Sequence, residues 1–371
     1  MTTPTNLPPS GEPSASTAET LHKFEFTGTA GEMVPIILKN LLFNILTLSL
    51  YRFWGRTNIR RYIWENTRFK DDPFEYTGTG GEMFVGFLIV MVAVFLPLIG
   101  LMTWAQTLAM QGDITGTVLF FVLYLFILWL IPFGLYRAFK YRMSRTRWRG
   151  VRGAQLGSGA KYATETFSYS ILTGLTLGLL YPFMDNKLYS LETNDRRFGS
   201  GRFSYKAGAG TLYKAFFVSV GVAILASLVL GFLGLFSQFA KAVRTGAQPD
   251  ADFFISVFGS YIIFLVVMGL AFSLYAYAKL QHFWNNTKFQ TAEFRFVGTL
   301  GGLIKLFVGN IALTIVTLGI AYPIAQMRVV RFMVENMSLE GSLDLSKISQ
   351  SDEAEPSFGE GLAEGFDMGT I

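Results

Sequence analysis

The stretch MFVGFLIVMVAVFLPLIGLMTWAQTLAMQG, residues 83 to 112, contains no Asp, Glu, Lys or Arg. After Asp113 comes ITGTVLFFVLYLFILWLIPFGLY, residues 114 to 136, which is equally uncharged. At ~1.5 Å rise per residue, both exceed the ~20 residues that a ~30 Å hydrocarbon core requires. Neither run has the water-facing stripe that a helix of a soluble domain needs, so both read as membrane spans. Ala215 to Ala240 and Phe253 to Ala278 form a second uncharged pair. Pro97 and Pro132 lie inside or near the ends of two runs, where neighbouring helices satisfy the freed carbonyls.

The composition points the same way. Of 371 residues 51% are hydrophobic, 16% aromatic and only 15% charged, with a mean hydropathy of +0.39; an average soluble domain is roughly 25% charged. This excludes an ordinary soluble enzyme and a disordered chain, and a net charge of +5 is too modest for a nucleic-acid binder of this length. With no Cys and only His22 and His282, there is no disulfide framework, no thiol chemistry and little material for a metal site. No Ser-His-Asp set or metal cluster is visible, so neither metal, cofactor nor enzyme activity is expected.

Charge placement predicts the topology. The first pair is joined without Lys or Arg, whereas Arg137, Lys140, Arg142, Arg145, Arg147, Arg149 and Arg152 follow it. The positive-inside rule makes that basic segment cytoplasmic. The second pair agrees less sharply, because its connection mixes Lys241 and Arg244 with Asp250 and Asp252. Residues 1 to 20 read as a disordered arm, not a signal peptide, and both termini are expected in the cytoplasm.

Sliding the sequence by 50 places Phe24, Glu25, Thr27, Gly28, Gly31, Glu32 and Met33 on Phe74, Glu75, Thr77, Gly78, Gly81, Glu82 and Met83. Shifts of 129 and 270 give further matches, Gly28 to Gly157 and Thr47 to Thr176, then Asn40 to Asn310 and Thr47 to Thr317. Internal repeats follow. Short units cover about 24–78, 157–208 and 294–341, and long units about 74–155 and 202–298, within a membrane domain of 21–348 followed by an acidic, disordered tail, 349–371. The long units are the spanning pairs. Each short unit turns at Thr47 to Ser49, Thr176 to Gly178 or Thr317 to Gly319, and its first arm of ~15 residues, ~22 Å, is too short to span. An α-helical polytopic membrane protein is expected, with four full spans and three shorter helical hairpins. Because Leu306 to Met327 is uncharged and long enough to cross, seven spans are the alternative.

Between units, residues 24 to 28, 74 to 78, 203 to 205 and 294 to 298 alternate aromatic and polar side chains with the period of a strand. Asn66-Thr67-Arg68-Phe69 before Asp71-Asp72-Pro73, and Asp195-Arg196-Arg197-Phe198 before Gly199-Ser200-Gly201, give a strand–turn–strand pattern. Unpaired edges cannot sit in lipid, so small β-hairpins are expected at the cytoplasmic interface. Phe-Glu-Phe-Thr-Gly followed by Gly-Glu, the Trp64 to Phe69 segment and the Gly-Phe-Asp-Met-Gly tail at 365 to 369 resemble the YjgN-like family of bacterial inner-membrane proteins. The resemblance runs from about Leu21 to the end. It implies a cytoplasmic-membrane location in a bacterium and brings no catalytic chemistry with it.

The candidate site residues are polar positions in the short first arms. Asn40, Asn44 and Thr47 share a helical face, as do Tyr169, Thr173 and Thr176, and Asn310, Thr314 and Thr317. Three stripes at one depth could line a common pocket, or serve as hydrogen-bonding glue between helices. Lys39 and Lys305 snorkel or mark a site, and Glu32 and Glu82 suit helix N-termini. Arg56, Arg60, Arg61, Arg145, Arg147, Arg149, Arg196 and Arg197 are positioned to hold the anionic headgroups of the bilayer, the one partner the composition demands. The Gly78 to Gly81 and Gly298 to Gly302 stretches lack the Gly-Lys-Ser/Thr of a phosphate loop. In the tail, Asp352, Glu353, Glu355, Glu360, Glu364 and Asp367 surround Leu362 and Phe366, which suits a protein partner. Two functions follow: passage or binding of a small solute or lipid through a repeat-lined polar pocket, or a non-catalytic assembly platform.

Overall fold

The computed structural model describes residues 21–230, 240, 243–244, 251–342 and 348–350. The N-terminal arm, the acidic tail beyond Gln350 and most of the second long-unit connection lie outside the described residues.

Ten short strands close into one antiparallel barrel: β1 (Leu21–Phe26), β2 (Thr67–Phe69), β3 (Asp72–Tyr76), β4 (Thr146–Trp148), β5 (Val151–Gln155), β6 (Arg196–Phe198), β7 (Gly201–Tyr205), β8 (Thr287–Phe289), β9 (Ala292–Phe296) and β10 (Met337–Glu340). Each strand pairs with the next in sequence, and β10 returns to β1. The expected small, separate hairpins are therefore parts of one closed sheet. Closure leaves no edge to be satisfied by lipid or by another chain. Two-residue turns join β2 to β3 at Lys70-Asp71 and β4 to β5 at Arg149-Gly150, with φ of 50°, 66°, 50° and 75°. Left-handed backbone at both turn positions matches the twist of the flanking strands.

Between these turns the chain leaves the barrel five times, and each time its described residues form an outgoing and a returning helical arm. The pairs are α1 (Ala30–Leu46) with α2 (Arg52–Glu65), and α3–α4 (Gly80–Val90, Leu96–Met110) with α5 (Ile114–Arg145). Then come α6 (Gly159–Leu175) with α7 (Tyr181–Asn194), α8 (Gly210–Leu230) with α9 (Ala251–Asn285), and α10 (Leu300–Val316) with α11 (Tyr322–Glu335). A π-helical turn, Met91–Phe95, links α3 to α4 just before Pro97, where an α-helical ladder would lose a donor and meet the proline ring. Within each pair the departing and returning strands align identically: Phe26 opposite Thr67, Tyr76 opposite Thr146, Gln155 opposite Arg196, Tyr205 opposite Thr287 and Phe296 opposite Met337. All helical pairs thus rise from one rim of the barrel, and all tight turns sit on the other. A short pair that crossed a membrane once and ended on the far side does not fit this pairing.

Four helical stretches are long and apolar enough to cross a membrane: Gly80–Met110, Ile114–Arg145, Gly210–Val229 and Phe254–Asn285. The three short pairs bend back sooner. At their tips Leu48, Leu177 and Leu318 take φ of 49°, 51° and 49° and are 90%, 93% and 90% exposed. Below each tip a threonine caps both arms. Thr47 donates to the Phe43 carbonyl at 2.7 Å and accepts from the Tyr51 N–H at 2.9 Å; Thr176 and Thr317 repeat both bonds.

The barrel lumen is filled with aromatic rings. One inward layer takes Phe24, Phe69, Phe74, Trp148, Phe198, Phe203, Phe289 and Phe294, with Leu339 and Gly153 at the remaining two strands. Phe24 stacks on Phe69 at 4.5 Å, and Trp148 lies 5.5 Å from Phe69 and 6.2 Å from Phe198. Ile348 packs into the same cluster. The following residues bind back to the turn rim, where Ser200 N–H donates to the Ser349 carbonyl at 2.9 Å and Arg152 N–H to Gln350 Oε1 at 3.0 Å.

Candidate functional site

Around the barrel the pairs run short, long, short, long, short, so the first and the fifth, both short, stand side by side. A cavity of about 340 Å³ lies between them. Its polar wall comes from Asn40 and Asn44 on α1 and from Arg52, Arg56 and Arg60 on α2, one turn apart along a single face. The opposite wall is the start of α11, with Gly319 and Ile320 before it and Tyr322, Pro323 and Gln326 within it. No acidic side chain is among the described residues that line it. The N–H groups just before α2 and α11, on Tyr51 and Ala321, are taken by the Thr47 and Thr317 hydroxyls, so the positive charge at this space is that of the arginines.

The local sequence holds these groups in place. Asn40 Nδ2 donates to the Gly55 carbonyl at 3.1 Å and Asn58 Nδ2 to Asn40 Oδ1 at 3.2 Å, locking the two arms together. A Cβ at Gly55 would meet the Asn40 side chain at 3.3 Å, so glycine there permits the close approach. Asn44 Oδ1 is buried and accepts no hydrogen bond from the described residues. Arg60 is 1% exposed and donates to the Tyr76 hydroxyl at 3.2 Å. Arg52 sits over the Phe53 and Phe87 rings at 5.0 and 5.2 Å.

A second, almost wholly apolar groove of about 530 Å³ flanks the other side of α11, walled by α10 and reaching Leu280 of α9. Asn310 and Thr314 line it, and Tyr322 and Gln326 belong to both spaces. Two of the three polar stripes therefore border adjoining spaces. The third does not join them: Tyr169 packs on Phe183 at 5.6 Å and Thr173 points to Met184 Sδ at 3.8 Å, inside their own hairpin. Asn310 repeats the stitch of Asn40, donating to the Ala325 carbonyl at 3.1 Å. Thr47, Thr176 and Thr317 are committed to the tip turns described above.

The other arginines are distributed along the barrel. Arg145 pairs with Glu82 at 3.1 Å, and Arg149 pairs with Asp72 while covering the Trp148 ring at 4.7 Å. Arg147 stands opposite Glu75 on the outer face. Arg196 lies over the Phe139 ring at 4.9 Å, Arg197 donates to the Asn194 carbonyl at 2.8 Å, and Arg61 is exposed. Lys39 and Lys305 are exposed on the first arms. Glu32 closes a capping box with Thr29; the Tyr62 hydroxyl at 2.8 Å, with the Thr29 backbone, holds its carboxyl below the ordinary range. Arg52, Tyr322 and Gln326 were not singled out from sequence, although Arg52, Arg56 and Arg60 recur every four residues, a stripe readable by periodicity alone. No cluster of three or more His, Asp or Glu able to hold a metal occurs among the described residues.

Membrane-length helical pairs standing on one rim of an aromatic-filled barrel define a membrane protein. Residues 21–365 match the model of a bacterial family described as protein of unknown function, DUF898, and the chain belongs to that family. It is 24% identical over 374 residues to the inner membrane protein YjgN of Salmonella typhimurium strain LT2, covering 89% of this chain and 91% of that protein. The YjgN protein of Escherichia coli strain K12 is also 24% identical, over 91% of this chain and 93% of the relative. No solved structure matches.

Proposed function

We propose that this inner-membrane protein is multi-pass and repeat-built, and that it binds or passes a small anionic solute or lipid at the cavity between its first and fifth helical pairs. In this reading the barrel stands on the cytoplasmic side. Two long pairs cross the bilayer, and three short pairs enter from the barrel side and return. Arg137, Lys140, Arg142 and Arg145 all sit at the barrel end of α5, which supports that orientation. The five strand–helix–helix–strand units are then copies of one element, with identical pairing where each begins and ends.

The observation that carries the binding reading is the lining: three arginines and, among the described residues, no carboxylate. Away from bulk water such a field favours an anion far more than at an exposed surface. The test uses protein purified in neutral detergent, with inorganic phosphate or glycerol phosphate compared against chloride at equal ionic strength. A ligand at a hundred times its Kd adds ~2.7 kcal/mol to stability, so the thermal midpoint is expected to rise. An Arg52→Ala/Arg56→Ala variant should lose that rise. Equal midpoints in both salts, or an equal rise in the variant, would overturn the reading.

A further inference from the structure

The two spaces beside α11 differ in chemistry and share a boundary. The first carries Arg52, Arg56 and Arg60 and the buried Asn44 Oδ1, which accepts no hydrogen bond from the described residues. The second is walled by Leu303, Leu306, Phe307, Ile311, Val329 and Met333. Tyr322 and Gln326, four residues apart on one face of α11, line both. A ligand filling only the first space would be a small anion. A ligand filling both needs a negative group joined to an apolar chain, bent past Tyr322 and Gln326. At about 340 and 530 Å³, each space alone falls within the usual range for ligand sites.

Resting on the anion reading above, we infer that the occupant is an anionic glycerophospholipid, its phosphate in the arginine cavity and one acyl chain along the groove between α10 and α11. The charge belongs to the first space and the chain to the second, and the fold itself offers a lateral route. Ile311 and Ile315 are 43% and 67% exposed at the groove's margin, so a chain can enter sideways from the bilayer without passing the barrel.

The experiment uses phosphatidylglycerol and phosphatidylcholine, each with a photoreactive diazirine midway along one acyl chain. The full-length protein is reconstituted in phosphatidylcholine nanodiscs. Phosphatidylglycerol should label residues 303–333 preferentially, while phosphatidylcholine labels lipid-facing helices evenly. Arg52→Ala/Arg56→Ala should reduce the groove labelling by about fivefold per arginine removed, and Arg52→Lys/Arg56→Lys should restore most of it. Ile311→Trp, which fills the groove but leaves the cavity intact, should abolish groove labelling while preserving the phosphate-induced thermal shift. Each variant is first checked for an unchanged melting midpoint without ligand, so loss of fold is not mistaken for loss of site. If both lipids label alike while phosphate still stabilises the protein, the phospholipid inference fails and the anion reading stands. If phosphate does not stabilise it either, both fail together.

Discussion

The depth of the three Leu tips follows from helix arithmetic and tests the whole arrangement. From the start of β2 at Thr67, α2 runs back over 14 residues to Arg52, roughly 21 Å from the barrel rim. On α5 the charged collar extends from Arg137 to Arg145, roughly 13 Å. On the orientation proposed above, Leu48 therefore lies about 8 Å beyond the level where α5 becomes uncharged, which would place it in the barrel-side third of a ~30 Å hydrocarbon core. The chain contains no Cys, so Leu48→Cys, Leu177→Cys and Leu318→Cys each give a single spin-labelling site without background. All three labels should be accessible to oxygen and shielded from a water-soluble nickel chelate, at similar shallow depth. Ser204→Cys on the barrel's outer face and Gln111→Cys on the far loop should be nickel-accessible. Nickel access at the tips equal to that at Ser204 would show that the short pairs never enter lipid and refute the reasoning. The energetics give a second readout. Leu→Asp costs about 3–4 kcal/mol at a bilayer centre and less at this depth, yet changes little at a water-exposed position. The triple Asp variant should insert poorly in membranes.

Three further outcomes follow from the barrel and its rim. Trp148→Ala removes a 4% exposed ring that touches Phe69, Phe74 and Phe198, and should cost about 3–5 kcal/mol in denaturant melts; a loss under 1 kcal/mol would mean that the lumen is not close-packed. Tyr62→Phe deletes a hydroxyl bonded to Glu32, the Thr29 carbonyl and the Thr29 N–H and should lower the melting midpoint. Because Tyr62 is the largest cause of the lowered Glu32 pKa, the folded state gains from this group above the ordinary value of 4.5 and loses the gain as pH falls through the lower folded value. Melting curves should accordingly show a smaller acid loss for Tyr62→Phe than for the parent, so that the gap between the two narrows as pH falls below 4.5. Ile348→Asp places a carboxylate in the aromatic cluster at the turn rim and should lower the melting midpoint by several degrees, whereas truncation after Gln350 should leave it unchanged.

How far the sequence spoke depended on how local each signal was. The four membrane-length helices were legible because the absence of charge over two dozen residues needs no tertiary information. The tight turn at Gly199-Ser200 was legible from residue type, whereas the first turn falls at Lys70-Asp71, one residue before the Asp71-Asp72-Pro73 that residue type suggested, because Asp72 and Pro73 already pair in β3. Barrel closure was not, because it rests on Leu21 to Lys23 pairing with Ser338 to Glu340, more than 300 positions away, and no local pattern announces a partner so distant. The strands β4 and β5 were hidden by their composition: Arg147, Arg149 and Arg152 read as a topological charge cluster, and Gly153 stands where the other strands but β10 place an aromatic ring. The polar stripes were found, but their surroundings depend on which units are neighbours. Asn40 and Tyr169 are equivalent by sequence, yet only the first borders the arginine cavity.

That difference has a topological origin. Five pairs alternating short and long cannot alternate all the way around a closed ring: an odd count forces two of the same kind together. Here both are short, the α1–α2 and α10–α11 pairs, and their junction has a long pair on neither side of the seam. Elsewhere a long helix packs along a short pair, as α5 does on α6 and α9 on α10, although the apolar groove remains open where α9 meets α10 and α11. At the short–short seam nothing of that length is present in the described chain, and the arginine cavity lies there between the two pairs. The arginines at 52, 56 and 60 are on the unit whose second helix borders this seam. The corresponding face of α7 in the third unit, by the 129 shift, carries Tyr181, Asp185 and Tyr189. There Asp185 binds Lys279 of α9 at 2.9 Å and takes the Tyr275 hydroxyl at 2.9 Å. The same helical face thus stitches short to long in one unit and lines a cationic cavity in the other. A solute or lipid site arising at this seam alone needs no special loop or cofactor, only an odd number of units and a change of three side chains.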